Sequence, residues 1–310
     1  NSRANYYRGT MEEEKENYKN AFTSYLDALR LLERINSIYS NKTDILHFKA
    51  MTYVRLGDIF YWINAYDAAI ECLNNANSLF YRIDNRYSAT RNHILMAIIY
   101  EHRYNYKNSF RHLSIADSLL MEYNKNSQLK HVIERINASL MYNIGYQDES
   151  FKIIMQQYRT LESPNLKMEA AGVLGDMYYS KGMLDSALYY YEEYFHDSRF
   201  SIIDAANHIV EISLQTSNNE MIAKYGPILL EETNKELMFS TIKIDISSLY
   251  EQYKIEIKNE KMYKSILTYL GIIFFITLLF FFLGLYLLRL KKIAYNREII
   301  KKDFYINSLQ

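Results

Sequence analysis

Apolar residues recur at intervals of three and four from the first residues to about position 235, with short polar breaks between the runs. That period predicts helix after helix and no sheet. The pattern changes twice further on. Ile242, Ile246, Leu249, Tyr253 and Ile257 form a stripe at near-heptad spacing within a stretch that lacks Gly and Pro from Ile228 to Leu270. Two readings of it stay open: a capping helix packed on the last helical pair, or a long helix paired with a second copy of the chain. From Ser265 to Leu288 there is then no charge at all, and Lys264 and Arg289 bracket the run. As a helix this run reaches about 36 Å, more than the roughly 30 Å of bilayer hydrocarbon. Phe274, Phe275, Phe280, Phe281 and Phe282 make it apolar on every face, which suits lipid better than a one-sided core. Tyr269 and Tyr286 stand near its two ends, where interfacial aromatics belong.

The helical part repeats itself. Leu56-Gly57-Asp58-Ile59-Phe60-Tyr61 matches Leu174-Gly175-Asp176-Met177-Tyr178-Tyr179. Each is followed at the same distance by a second motif, Asp67-Ala68-Ala69-Ile70 and Asp185-Ser186-Ala187-Leu188, and then by Leu73 and Ala76 or Tyr191 and Tyr194. Gly and Ala at fixed offsets let paired helices approach closely, while Leu56, Phe60 and Leu73 fill the space between them. Asp67 and Asp185 stand where second helices should begin and are expected as their N-caps.

These residues resemble the tetratricopeptide repeat family, with its L-G-x-x-Y and A-x-x-x-F-x-x-A signature. The likeness is strong over 50–83 and 168–201. Weaker copies place Met96, Ala97, Tyr100, Ser109, Leu113 and Ala116, then Ala138, Met141, Ser150 and Ile154, at matching positions. Gly9, Ala21, Tyr25 and Ala28 fit near the N-terminus, whereas Glu12 does not; a degenerate last copy falls within 204–235. The reference positions Gly9, Gly57, Ala97, Ala138 and Gly175 are 48, 40, 41 and 37 residues apart, against about 34 in the family. Longer helices or loops must absorb the excess. The expected fold is all-α: a helix-turn-helix superhelical array over 1–227, ended by Gly226-Pro227, a juxtamembrane helix over 228–264, one transmembrane helix over 265–288 and a basic amphipathic tail over 289–310.

Composition narrows the function. The 36 basic and 36 acidic side chains cancel. The tail holds six basic groups (Arg289, Lys291, Lys292, Arg297, Lys301, Lys302) against Glu298 and Asp303, which leaves residues 1–288 at −4. An acidic body lacks the basic face that nucleic acid requires. With 9 Gly and 2 Pro there is little room for Gly-rich nucleotide loops, and one Cys permits no internal disulfide. No phosphate-binding, metalloprotease, esterase or kinase motif occurs, and the seven His residues (47, 93, 102, 112, 131, 196, 208) are scattered. Cys72 is expected as a small partly buried side chain, and Asp58 and Asp176 as repeat equivalents and not a catalytic pair. The expectation is no enzyme, no cofactor and no metal.

The family resemblance implies a concave surface lined by the first helix of each pair. Carried onto this sequence, it is lined by Val54, Asp58, Tyr61 and Trp62, then Arg91, Ile94, Glu101 and His102, then Arg135, Ser139, Tyr142 and Asn143, then Asp176 and Tyr179. Aromatic, Arg and acidic groups in this mixture suit an extended peptide or protein segment. Trp62 stands there either as an anchor or as helix-packing filler. The Lys and Asn cluster with which some family members hold a C-terminal carboxylate is missing, since Val54 and Asp58 occupy those positions.

Six Lys and Arg in 289–303 outnumber the four in 250–264 (Lys254, Lys258, Lys261, Lys264), which orients the tail to the cytoplasm and the body outside. No G-x-x-x-G joins Gly271 to Gly284, so a glycine-mediated dimer of spans has no support. A start at Asn1 without an apolar leader suits a processed form with a removed signal. In the tail, Leu290, Ile293, Ile300 and Phe304 form a stripe interrupted by Arg297. It reads as an amphipathic helix on the inner leaflet, as the start of a coiled coil, or as a basic anchor against anionic lipid. The layout resembles bacterial inner-membrane repeat proteins of the signalling type, with a periplasmic repeat domain, one span and a cytoplasmic output. The expected function is a sensor or regulator that binds a peptide or protein, with output from a domain beyond Gln310 or from a cytoplasmic partner. A membrane-tethered scaffold for an envelope complex, or an accessory subunit of a transport machine, is the alternative, and a second copy of the chain is a further candidate partner.

Overall fold

The computed structural model describes residues 2–35, 42–123, 128–195 and 199–307. They form helices only: α1 (Ser2–Glu14), α2 (Tyr18–Glu33), α3 (Thr43–Trp62), α4 (Tyr66–Arg82), α5 (Arg86–His102), α6 (Tyr106–Tyr123), α7 (Gln128–Asn143), α8 (Gln147–Thr160), α9 (Pro164–Ser180), α10 (Leu184–Tyr194), α11 (Arg199–Gln215) and α12 (Asn219–Asn307). Odd and even helices pair as antiparallel hairpins, and successive hairpins pack side by side in a tetratricopeptide-like array. His196 and the side chain of Phe304 lie outside the described residues.

One turn recurs seven times among the described residues, each with a residue of positive φ: Glu16, Asn64, Asp84, Tyr104, Gly145, Gly182 and Ser217. The N–H of the next residue closes a six-residue ring: Asn17 N–H to Glu12 O (2.8 Å), Ala65 to Phe60 (2.8 Å), Asn85 to Phe80 (2.9 Å), Asn105 to Tyr100 (2.9 Å), Tyr146 to Met141 (2.9 Å), Met183 to Tyr178 (3.0 Å) and Asn218 to Ser213 (2.8 Å). This is the bond that closes a helix C-terminus through a left-handed residue. It requires no particular side chain at its carbonyl end, so Glu12 serves as well as Phe60. The last two copies lie 35 residues apart (Tyr178 to Ser213), and the α11–α12 pair is thereby a sixth hairpin.

The excess over the family's repeat length resides in the helices for most intervals, and in the stretch 34–42 between α2 and α3 for the longest. Helix α3 has 20 residues and α4 has 17, whereas α10 has 11. The caps also differ from expectation. Helices α4 and α10 begin at Tyr66 and Leu184, and the residues before them, Ala65 and Met183, make no side-chain cap bond. Asp67 and Asp185 therefore lie inside the first turn, where a carboxylate meets the positive end of the helix dipole. Asp67 also pairs with Arg103 at 2.5 Å. Where side-chain caps occur among the described residues they come from Asn17, Asn85, Asn105 and Asn218, at one position of the turn.

Packing in each hairpin follows the small-residue positions. A Cβ on Gly57 would stand 3.0 Å from Leu73 Cδ2, and one on Gly175 would stand 2.7 Å from the Tyr191 ring. Where the first helix carries Ala97 or Ala138 instead, the second carries Ser109 or Ser150, and each buried hydroxyl bonds that alanine's carbonyl (2.8 and 2.5 Å). Ile94 belongs to the core formed with Ala97, Leu113, Ile133 and Ile136, not to an open face.

The chain divides into two compact units, Asn1–Tyr250 and Glu251–Gln310. Helix α12 runs through Pro227 without ending there, contrary to the sequence expectation. In the first unit its opening turns pack on the α9–α10 hairpin, with Tyr225 OH donating to Glu192 at 2.9 Å and the Phe195 ring 4.8 Å away. Its residues 243–250 pack on the first two hairpins. Helix α12 thus contacts the α9–α10 hairpin and the first two hairpins, whereas the sequence predicts a cap on the last helical pair alone or a helix paired with a second copy. Ile246 and Tyr250 are buried within this chain. In the second unit, one helix is long and apolar enough to cross a membrane; its apolar window has a mean hydropathy of 2.7 and is not buried.

Candidate peptide-binding groove

The first helices α1, α3, α5, α7, α9 and α11 carry polar side chains that link each helix to the next. Arg55 on α3 lies 3.9 Å from Glu13 on α1 and 3.9 Å from Asp58 on its own helix. Tyr61 OH lies 3.1 Å from His102 Nε2 on α5. Ser139 on α7 donates to Glu101 on α5 at 2.8 Å. Arg135 on α7 pairs with Glu169 on α9. Tyr142 on α7 meets the Ser180 hydroxyl and the Met177 carbonyl of α9, the latter at 3.3 Å. Tyr179 on α9 donates to Glu211 on α11 at 2.7 Å and accepts from Gln215 at 3.3 Å. The result is a ladder of polar rungs crossing five helix–helix junctions.

Most of the residues named from sequence stand on this ladder. Asp58, Tyr61, Glu101, Arg135, Tyr142 and Tyr179 are half-buried, while Arg91 and Asp176 are exposed. Arg91 is one of two guanidinium groups, with Arg55, whose charge acts on Asp58. Trp62 lies against Tyr18 of α2, with ring centroids 6.3 Å apart, so its ring is committed at least in part to helix packing. Asn143 is exposed at the end of α7.

Other members of the ladder were not named from sequence as groove residues. Tyr25 and Tyr191 occupy one repeat position, the one that lies over the small residues Gly9 and Gly175. Each reaches past its glycine to a carboxylate: Tyr25 donates to Glu13 and Tyr191 to Asp176, both at 2.7 Å. The His208 ring of α11 stacks on Tyr191 with centroids 4.6 Å apart. A glycine facing a bulky aromatic residue was a usable signal for the tyrosines. Nothing in the sequence pointed to His208 or Asp204, because α11 lies in the copy where the signature is weakest.

Electrostatics mark this face as partly withdrawn from water. Burial pushes the Asp58 carboxyl up to about 7; Arg55 opposes the rise, Glu13 adds to it and Arg91 opposes it. Asp176 rises to about 6, first through surrounding low-dielectric protein although one side of it meets solvent; the Tyr191 hydroxyl opposes the rise and the Asp204 charge supports it. Burial raises Glu101 and lowers His102. Burial also takes Tyr61 up to about 12. Among the described residues no group of three His, Cys, Asp or Glu side chains is placed to hold a metal ion. Hydroxyls, carboxylates, guanidinium groups and aromatic edges in this order suit hydrogen bonding to an extended main chain and its side chains.

Neither a protein-family model nor a curated protein matches the chain. Solved structures do. The Rap conjugation gene regulator of plasmid pLS20, in complex with the Phr* peptide, is similar with a TM-score of 0.50 and 15% identity, over 81% of this chain and 73% of that one. A putative Podospora anserina kinesin light chain with nearly identical TPR-like repeats gives a TM-score of 0.42 and 13% identity, over 62% of this chain and 92% of that one.

Proposed function

We propose that the chain is a non-catalytic peptide- or protein-binding repeat domain held at a membrane by the 265–288 segment. The ladder from Arg55 to Glu211 carries the reading: side chains with hydrogen-bonding capacity and aromatic edges lie in sequence across adjacent first helices. An array without such a face would need only apolar packing between its helices. The Rap structure holds a peptide, which supports the same ligand class here. Asp58, Tyr61, Trp62, Arg91, Glu101, Arg135, Tyr142, Asp176 and Tyr179 line the proposed site.

The membrane part rests on the length and composition of 265–288. The charge bias around it supports a single pass through a bacterial inner membrane, with the repeat unit over 1–227 and the 228–264 helix periplasmic and the basic 289–310 tail cytoplasmic. In this arrangement the protein is an envelope sensor or regulator that passes occupancy of the groove to a cytoplasmic output.

The test uses the full chain in lipid nanodiscs and a displayed library of random peptides. Selected peptides should lose tenfold or more in affinity on Arg135→Glu or Tyr61→Ala, since each removes a central contact. Tyr189→Ala, at an exposed position on the second helix α10, should leave affinity unchanged. Equal affinity for all variants would remove the groove assignment. Protease protection of the repeat unit in spheroplasts would reverse the topology.

A further inference from the structure

The contact between α12 and the first two hairpins is unlike the contacts inside the array. Three helices from the first two hairpins, α2, α3 and α4, receive residues 243–250. Two apolar side chains are buried there, Ile246 completely and Tyr250 nearly so. The Tyr250 ring lies 4.9 Å from Phe60 and 6.5 Å from Phe22, edge-on to each. Its hydroxyl faces the Cys72 sulfur at 3.3 Å and Glu71 at 3.4 Å. Both are weak or long bonds by the standard of a buried phenol. The polar contacts that complete the docking lie at the edge. Lys19 reaches Asp245 at 2.6 Å with both side chains about half exposed, and Lys243 Nζ reaches the Asn64 carbonyl at 3.1 Å. Between the anchors, Ile244, Asp245 and Ser248 are exposed.

Beneath this contact the α3–α4 hairpin has packing of its own, in which Gly57 faces Leu73 and Ala69, and Phe60 is shared between the hairpin and Tyr250. The same helix α12 is held to α10 by Tyr225. Two buried side chains, Ile246 and Tyr250, and a half-exposed ion pair between Lys19 and Asp245 place residues 243–250 toward the low end of local stability, where a segment opens before the whole fold does.

We propose that residues 242–250 form a releasable strap: docked across α2, α3 and α4 they tie the first hairpins to the helix that leaves the last one and seal Cys72, and undocked they leave the array folded. The strap gives the repeat unit two arrangements. This inference stands on the docking contacts and does not depend on the peptide-binding reading.

Cys72 is the only cysteine and is fully buried, so its reaction with a thiol reagent reads the strap directly. The experiment measures the rate of Cys72 labelling by a maleimide on the full chain in nanodiscs, with the helical circular dichroism signal followed in parallel. Asp245→Lys acts at an exposed position and sets like charges at Lys19, so the rate should rise threefold or more. Adding Lys19→Asp should return it toward the wild-type rate. Tyr250→Ala removes the anchor and should raise the rate tenfold or more without loss of helical signal. In mild denaturant the wild-type thiol should react before helicity falls. A rate unchanged by Asp245→Lys, or wild-type labelling that tracks global loss of helix at every denaturant concentration, overturns the strap. The charge pair keeps the test decisive if Tyr250→Ala fails to fold.

Discussion

Two aspartates at one repeat position share an unusual state. The Asp58 carboxyl is pushed up to about 7 and the Asp176 carboxyl to about 6, in both cases first by burial. A folded-state value above the unfolded one means that the charged form opposes folding. The contribution to stability is full below the unfolded carboxylate range near pH 4 and is lost as pH rises toward 7 for Asp58 and toward 6 for Asp176. Asp58→Asn should therefore raise the melting temperature at pH 8 and leave it nearly unchanged at pH 4. The reverse order in calorimetry would refute this assignment. The same position shows why Gly175 is needed: a methyl group there meets the Tyr191 ring at 2.7 Å. Gly175→Ala should cost about 1–3 kcal/mol in denaturant unfolding. Gly175→Ala combined with Tyr191→Leu, the combination closer to the α3–α4 hairpin, should recover part of that loss.

At the scale of the helix, one turn does the folding work of seven junctions among the described residues. Its left-handed residue is Gly in two copies and Glu, Asn, Asp, Tyr or Ser in the others. A strained non-Gly residue costs about 1 kcal/mol, and the six-residue backbone ring, repeated at each junction, holds it there. Tyr104→Gly should accordingly stabilise the protein slightly, by up to about 1 kcal/mol in urea titration. Ser109 and Ser150 show a second element-level rule. They bond carbonyls of Ala97 and Ala138 inside hairpins where the first helix has alanine instead of glycine. Each Ser→Ala change removes a buried hydroxyl that bonds a carbonyl, and should cost about 1 kcal/mol. These junctions were only partly readable beforehand. The Gly and Ala offsets revealed the pairing of helices, but Asp67 and Asp185 suggested caps two positions too late. A backbone ring that accepts any residue leaves no side-chain signature.

At the scale of the molecule, the chain combines an acidic array, a charge-free helix and a basic end. If 265–288 crosses a bilayer, two arginines at its centre should disrupt it, because each costs about 2.5–3.5 kcal/mol there by insertion scales. Phe275→Arg with Leu279→Arg should move the full chain from the membrane pellet to the alkaline-extractable fraction. Retention of the double variant in carbonate-washed membranes would point to another anchor. The polar ladder was legible in part for a related reason of scale. Asp58, Tyr61, Glu101, Arg135, Tyr142 and Tyr179 sit on first helices whose register the repeat motif sets. Tyr191 and Tyr25 come from second helices and enter the face only because a glycine beneath them lets the ring through.

Local periodicity determined much of this protein in advance. A period of three to four residues, small residues at fixed offsets and an uncharged run are properties of neighbouring positions, and they specify helices, hairpins and an apolar segment without reference to distant contacts. Tertiary structure decided what distant positions do to one another. Pro227 lies inside a helix instead of ending one. Ile246, a member of the near-heptad stripe, and Tyr250, which lies outside it, are buried, and Tyr250 meets Cys72 across a separation of 178 residues. An amphipathic stripe states that a helix needs an apolar partner. Which surface supplies it follows from the curvature accumulated over all the intervening pairs, which no single segment of sequence contains.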